Sequence, residues 1–309
     1  ALPISWITDI RTYFEYPGEE NPIAWMVREA GCTRLGIDRL SYDIFIALPP
    51  TVCISPIVEQ MRWVKDPEEL ALVERAASYA DFCLEHVLEH GAHIIRSGGT
   101  ELDILQACLQ ATYAKMSAEL TQEFGERGFR VTGTVHSGPR AALPHGSPIV
   151  RQPQPGEPLI AGIGTMVGGY HAESGATFVV GSPSADVLRC LHAAADCNDA
   201  AISALKVGAS CTSVNDAALN VLRKAGLTNT IRHRIGHGMG VQGHESPWLA
   251  PGDATLLRPG MVFSNEPGIY RPGIDGYRTI NTMIVTDGPA HIPSRFLAQN
   301  PPEARILPV

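Results

Sequence analysis

Three histidines crowd one glycine-rich stretch, HRIGHGMGVQGHE, which runs from His233 through His237 to His244 and Glu245. Imidazole titrates near working pH and carries a lone pair when neutral, so it can move a proton or hold a ligand. The four glycines let the backbone turn tightly and approach a bound molecule. One such histidine alone reads as a satisfied structural group; three together read as the wall of a cleft. Glu266 ends an apolar run in FSNEPG, where an acid faces either solvent or a polar cleft. His145 closes the loop SGPRAALPHG, with turn residues on both sides. Glu173 lies in the β-like run after Gly168, Gly169, Tyr170 and His171.

Two other patterns carry less. Gly162 and Gly164 followed by Gly168 and Gly169 have the wrong third spacing for a nucleotide loop, and a hairpin is expected there. His86 and His90 lie one helical turn apart without a third ligand and read as a solvated helix face.

The elements that must position these groups follow from periodicity and punctuation. Asp66, Pro67 and Glu69 form a helix start, and apolar positions at helical spacing run from Val73 to Val87, with Gly91 as the expected stop. Thr100 and Asp103 open a second helix through Thr112. Strand-like runs follow at 129–136, 159–163 and 170–180. The order then repeats: a helix over 185–205, another from Thr212/Ser213 to Ala225, and strand-like segments at 231–241, 260–265 and 279–285. Two such halves predict an α+β unit in which helices cover one face of a curved antiparallel sheet, with the site on the open face. Residues 1–63 are shorter and more mixed: an aromatic opening (Trp6, Tyr13, Phe14, Tyr16), a helix near 22–30, a strand near 33–37 and an apolar segment near 44–48. That stretch is too fragmentary to bury a core alone.

Composition narrows the class. The 309 residues are 44% hydrophobic and 18% charged, with mean hydropathy +0.01, which excludes disorder as the main state. Twenty-four basic against 32 acidic residues leave a formal charge of −8, so nucleic acid and anionic membrane are poor partners. No run of about 18 apolar residues occurs. The seven cysteines are scattered without paired spacing, which argues against a disulfide framework or a cysteine zinc site. The expectation is a cytoplasmic globular protein.

Four motifs in order, SGPRAALPHG, GGYHAESGATFVVG, GHGMGVQGHESP and LRPGMVFSNEPGIY, resemble the creatinase/aminopeptidase P/prolidase family with its pita-bread fold. The resemblance covers 64–309 as the catalytic domain. It implies that 1–63 is the C-terminal part of a smaller α/β N-terminal domain, and that the protein is a homodimer. The family's peptidases hold two metal ions with Asp, Asp, His, Glu and Glu. On this chain those positions fall on Gly162, Glu173, His237, Glu266 and Ile280, so two have no donor atom.

That departure directs the expectation to the family's metal-lacking branch, most like ectoine hydrolase and next creatinase. The function expected is metal-independent opening of a C–N bond in a small zwitterionic cyclic amidine, ectoine being hydrolysed to N-acetyl-diaminobutyrate. Gly175 and Ala176, standing where creatinase has Glu-Arg, weigh against creatinase itself. Glu173 would attack the amidinium carbon or activate water, and Glu266 would anchor the amidinium nitrogens. His145 would shuttle the proton, with His237 tuning the catalytic group. His233, His244, Tyr170 and Arg278 would bind substrate; Arg278 is the candidate for its carboxylate, with a structural ion pair, or a contact from the N-terminal segment instead, as the alternatives. No cofactor is expected. The alternatives are a creatinase-type amidinohydrolase, a single-metal X-Pro peptidase-like hydrolase with its ion on Glu173, His237 and Glu266, and a catalytically dead binding module.

Overall fold

A computed structural model of the chain describes residues 9–14, 18, 20–31, 34–48 and 52–309. Trp6, Tyr16, Cys32 and Thr33 lie outside the described residues. The chain divides into two compact units, Ala1–Met61 and Arg62–Val309.

In the short unit, α1 (Pro22–Glu29) starts on Asn21, whose side chain accepts from the Ile23 N–H. Proline follows at the first helical position, where its missing N–H costs nothing. Strands β1 (Leu35–Ile37) and β2 (Val52–Ile54) pair in parallel, with α2 (Tyr42–Ala47) between them in sequence. The apolar segment near 44–48 is therefore helical. Helix α3 (Ile57–Trp63) spans the boundary between the units.

The long unit repeats one pattern twice. Helix α4 (Pro67–Arg96) begins with a capping box, the Asp66 side chain taking the Glu69 N–H and the Glu69 side chain taking the Asp66 N–H. It does not stop at Gly91. The helix runs on because Gly91 serves packing: a Cβ there would lie 3.2 Å from Leu307, whose side chain rests on the helix. Helix α5 (Glu101–Phe124) has its own capping box from Thr100 and Asp103. Strands β3 (Phe129–Ser137), β4 (Pro158–Val167) and β5 (Tyr170–Val180) follow, β4 and β5 joined by the Gly168-Gly169 turn. Both glycines have positive φ, so the glycine pattern is a hairpin.

The second half opens with α6 (Ala185–Ala204) and α7 (Cys211–Lys224). Helix α7 starts earlier than its Thr/Ser pair suggested, because Ser210 caps it through the Ser213 N–H. After these come β6 (Gly236–Gly238), β7 (Glu245–Leu249), β8 (Val262–Asn265), the hairpin β9 (Gly268–Arg271) and β10 (Asp275–Arg278), and β11 (Ile280–Ile284). A short helix α8 (Phe296–Gln299) and β12 (Ile306–Leu307) end the unit. One eight-stranded sheet runs β3-β4-β5-β11-β8-β6-β7, with β12 added parallel to β5. Its neighbours on the main path are antiparallel.

Side-chain alternation assigns the two faces. Ser174 of β5 points to the helix layer, where its hydroxyl donates to Asp81 of α4 at 2.6 Å. Glu173 and Gly175, one residue either way, point to the open face. The helix side is closed by two apolar clusters, one around Leu84, Ile104, Leu159 and Phe178, the other around Leu191, Val214, Leu222 and Phe263. Burying each such side chain contributes roughly 1.5–3 kcal/mol, enough to hold the sheet that displays the polar face.

Candidate active site

On the open face, pairing brings distant residues into one row. His237 of β6 lies opposite Ser264 of β8, Ser264 opposite Thr282 of β11, and the Thr282 hydroxyl accepts from the Glu173 N–H at 2.9 Å. The Ser264 hydroxyl donates to Glu173 Oε2 at 2.7 Å, which fixes that carboxylate. Glu266 stands two residues beyond Ser264 and so faces the same way. A register irregularity between His237 and Gly238 folds the glycine-rich loop back, and His244 stacks on His237 with ring centroids 3.9 Å apart.

The electrostatics centre on one atom. His237 is fully buried, and its Nδ1–H donates to the Gly238 carbonyl at 3.0 Å, leaving a lone pair on Nε2. That Nε2 is buried without a hydrogen-bond partner, 3.7 Å from Glu173 Oε2 and 3.5 Å from Glu266 Oε1. Burial holds the imidazole's pKa down at about 4, against the pull of Glu266, so the ring is neutral at working pH. A lone pair and two carboxylates converging on one spot repel each other unless a cation lies between them. Glu173, His237 and His244 each offer a ligand atom, all within 4.8 Å of one another. Two imidazole nitrogens and a carboxylate oxygen suit a divalent transition ion with an open position.

A second ion does not fit. A Cβ on Gly162 would lie 2.9 Å from Arg278 Nη2 and 3.3 Å from Ile280 Cδ1. A guanidinium and a hydrocarbon occupy that space, and neither ligates a metal.

The remaining expected residues separate into groups. His145 is exposed on the loop after β3 and lines the same cavity of about 420 Å³ as Glu173, His244, Glu266 and Arg278. His233 packs on Tyr270, its Nε2 2.8 Å from the phenol oxygen; burial lowers the pKa of the imidazole and raises that of the phenol to about 12. His233 is not among the residues that line the cavity. Tyr170 is not brought to the cavity: its hydroxyl donates to Glu69 at the start of α4, and burial raises its pKa further. It opens β5 beside the hairpin turn, three residues before Glu173, so alternation turns it to the helix face.

Several supporting residues were not evident in the sequence. Ser264 could have been found from alternation, since it shares a face with Glu266. Glu101 could not: fully buried at the start of α5, it accepts from the Ser137 N–H and hydroxyl and from Arg140, bracing the loop that carries His145. Lys65 and Arg62 both grip Glu245, the neighbour of His244.

Residues 71–287 match the sequence profile of metallopeptidase family M24. The chain belongs to that family. An enzyme of Lactobacillus helveticus described as an Xaa-Pro dipeptidase is 33% identical to this M24 chain over 233 residues, covering 75% of it and 60% of the relative. The chain thus spans about 60% of the length of the curated relatives it matches. Among solved structures, an Xaa-Pro dipeptidase from Bacillus anthracis superposes with TM-score 0.77 at 26% identity, over 92% of this chain and 77% of the other. The dipeptidase PepE from Mycobacterium ulcerans gives 0.77 at 27%, over 94% and 76%.

These findings correct the expectation of a metal-independent amidine hydrolase of the ectoine type. The relatives are named as dipeptidases, and the ligand set of Glu173, His237 and His244 contradicts a site without a cofactor. The loss of donors at Gly162 and Ile280 pointed to the metal-lacking branch, with one ion on Glu173, His237 and Glu266 as the alternative. It removes two donors and leaves Glu173, His237 and His244 as a candidate ligand set for one ion. No helix among the described residues is long and apolar enough to cross a membrane.

Proposed function

We propose that this M24 chain is a hydrolase of small Xaa-Pro-type peptides working at a centre for one divalent metal ion. The observation that carries this reading is the unpartnered, buried Nε2 of His237, facing Glu173 and Glu266. The names borne by its relatives support the substrate class. Glu173, His237 and His244 hold the ion, which when bound supplies Lewis acidity to a substrate carbonyl and acidifies water. Ser264 keeps Glu173 oriented by its hydrogen bond. Glu266 takes the proton of the attacking water, its carboxylate lying against the same spot. His145, which lines the same cavity, delivers a proton to the departing amide nitrogen. A proline nitrogen leaves as a secondary amine and needs that proton.

The test is hydrolysis of Ala-Pro and Gly-Pro beside Ala-Ala, with metal counted by elemental analysis. Activity should vanish on exhaustive chelation and return with Mn²⁺, Co²⁺ or Zn²⁺. Full activity in a chelated, metal-free protein would overturn the reading, as would no hydrolysis of any of the three by metal-loaded protein.

A further inference from the structure

Arg305 is 2% exposed, and its Nε and Nη1 are buried without a hydrogen-bond partner. Among the described residues no carboxylate forms an ion pair with it. Glu303, the acid whose charge acts on it, is paired with His192 at 2.9 Å instead. Burial presses the guanidinium's pKa down to about 10, so it stays charged at neutral pH. A desolvated cation without a counter-ion is unfavourable until an anion meets it. The backbone fixes its place: the Arg305 carbonyl accepts from the Val179 N–H at 2.9 Å, where β12 joins β5.

This arginine lines a cavity of about 440 Å³ that is separate from the candidate active site. Ile280 of β11 lines the open-face cavity, whereas Thr279 and Asn281, one residue either way, line this one, on the helix side of the sheet. Several polar groups around it are already engaged. Asn198 Oδ1 accepts from Asn265 and Asn281, and the Ser294 hydroxyl donates to Asn281. Thr279 differs: it is 2% exposed, and its hydroxyl is buried without a partner. A guanidinium and a hydroxyl thus remain as unengaged donors. Half-buried Ile202, Ile292 and Leu297 supply an apolar wall. Exposed Asp199 and Arg295 also line the cavity and oppose each other in charge, which leaves Arg305 as its net charge.

We propose that this cavity is a second binding site, for a small monocarboxylate with an apolar body. The carboxylate, which only accepts, meets the Arg305 guanidinium and the Thr279 hydroxyl. The hydrocarbon lies against Ile202, Ile292 and Leu297. One net positive charge matches one negative charge, and the apolar wall disfavours a fully hydrated inorganic anion. The inference is independent of the hydrolase reading above.

Isovalerate and isovaleramide, which share a hydrocarbon and differ in the carboxylate, are the probes, with inorganic phosphate as a third. Isothermal titration of the full chain should show isovalerate bound roughly 10–100-fold more tightly than isovaleramide, the range for losing hydrogen bonds to a charged group. The value should be the same before and after chelation, which sets this site apart from any ion on Glu173, His237 and His244. Arg305→Met should abolish the preference for the carboxylate. Thr279→Val, which removes the hydroxyl and keeps the side chain's shape, should weaken isovalerate about 5-fold. Should Arg305→Met fail to fold, the Thr279→Val variant carries the decision. Isovalerate binding that is absent from the native chain, or unchanged in either variant, overturns the proposal. Tighter binding of phosphate than of isovalerate overturns it too. Binding that survives in Arg305→Met and is lost in Arg278→Met would place the carboxylate on the open face and overturn it as well.

Discussion

The imidazoles of His237 and His244, seven positions apart in sequence, stack with ring centroids 3.9 Å apart and planes 24° from parallel. Together with Glu173 they bring three ligand atoms within 4.8 Å of one another, where one cation can meet a lone pair of each ring. Replacing His244 by Ala should therefore weaken metal binding roughly 100-fold. His244 is exposed and adds little to the core, so the melting temperature of the metal-free protein should hardly move. Competition with a calibrated chelator measures the first, and calorimetry the second. An unchanged metal affinity would remove His244 from the ligand set.

His145 should behave in the opposite manner. Its ring lines the cavity but lies outside the group of ligand atoms. His145→Ala should lower kcat by about 10²–10⁴-fold, the range for loss of a general acid, with metal content unaltered. Elemental analysis beside steady-state kinetics separates the two effects. Loss of metal in this variant would show that the loop holds the ion instead.

How much of this could be read from the chain depends on distance along it. The capping boxes at Asp66 and Thr100, the strands expected over 129–136 and 170–180, and the convergence of Glu173, His237 and Glu266 were legible because each rests on local spacing or on motif order. The stacking of His244 on His237 was not, since it depends on a register irregularity among glycines whose backbone freedom no sequence pattern fixes. The fit of Arg278 against Gly162 was hidden for a related reason. It is set by three-strand register, and from the sequence Gly162 showed only a missing donor rather than the space for another side chain.

Ser264 offers a test that spares the ligands themselves. Its hydroxyl is the hydrogen-bond donor that steadies Glu173 Oε2. Ser264→Ala should weaken metal binding by roughly 10–100-fold, as loss of an outer hydrogen bond to a ligand does, with far-ultraviolet circular dichroism unchanged. A variant with native metal affinity would mean that Glu173 is held by its backbone pairing alone.

Acid sensitivity should come in part from His136. Its Nε2–H donates to the Gly146 carbonyl while burial, and next the Arg278 charge, press its pKa from 6.5 down to about 4. The unfolded chain takes up this proton from about pH 6.5 downward and the folded chain does so only near pH 4. Stability from this group is thus fully present above pH 6.5 and falls by roughly 3 kcal/mol as the pH drops to 4. Asp81 opposes the trend, because burial raises its pKa and the folded form holds its proton longer. Urea unfolding of chelated protein at several pH values should show the loss, and His136→Gln should flatten it. An equal slope in the variant would assign the acid sensitivity elsewhere.

The ion pair between Lys65 and Glu245 ties the start of the long unit to the loop that presents His244. Lys65 Nζ is 2.9 Å from Glu245 Oε1, both side chains are nearly inaccessible, and Arg62 reaches Oε2 at 2.6 Å. Burial lowers the Lys65 pKa, and Glu245 counters that shift, so the pair is held charged by its own contact. Lys65→Met should destabilise the protein by about 3–5 kcal/mol, because a desolvated carboxylate then keeps only the half-exposed Arg62. Adding Glu245→Leu should recover much of the loss, since an apolar pair needs no counter-charge. Metal affinity should not recover with it, because the backbone next to His244 has lost its anchor. Urea titration and chelator competition on the two variants decide the matter: parallel recovery of stability and metal binding would mean that Glu245 stabilises the fold without positioning His244.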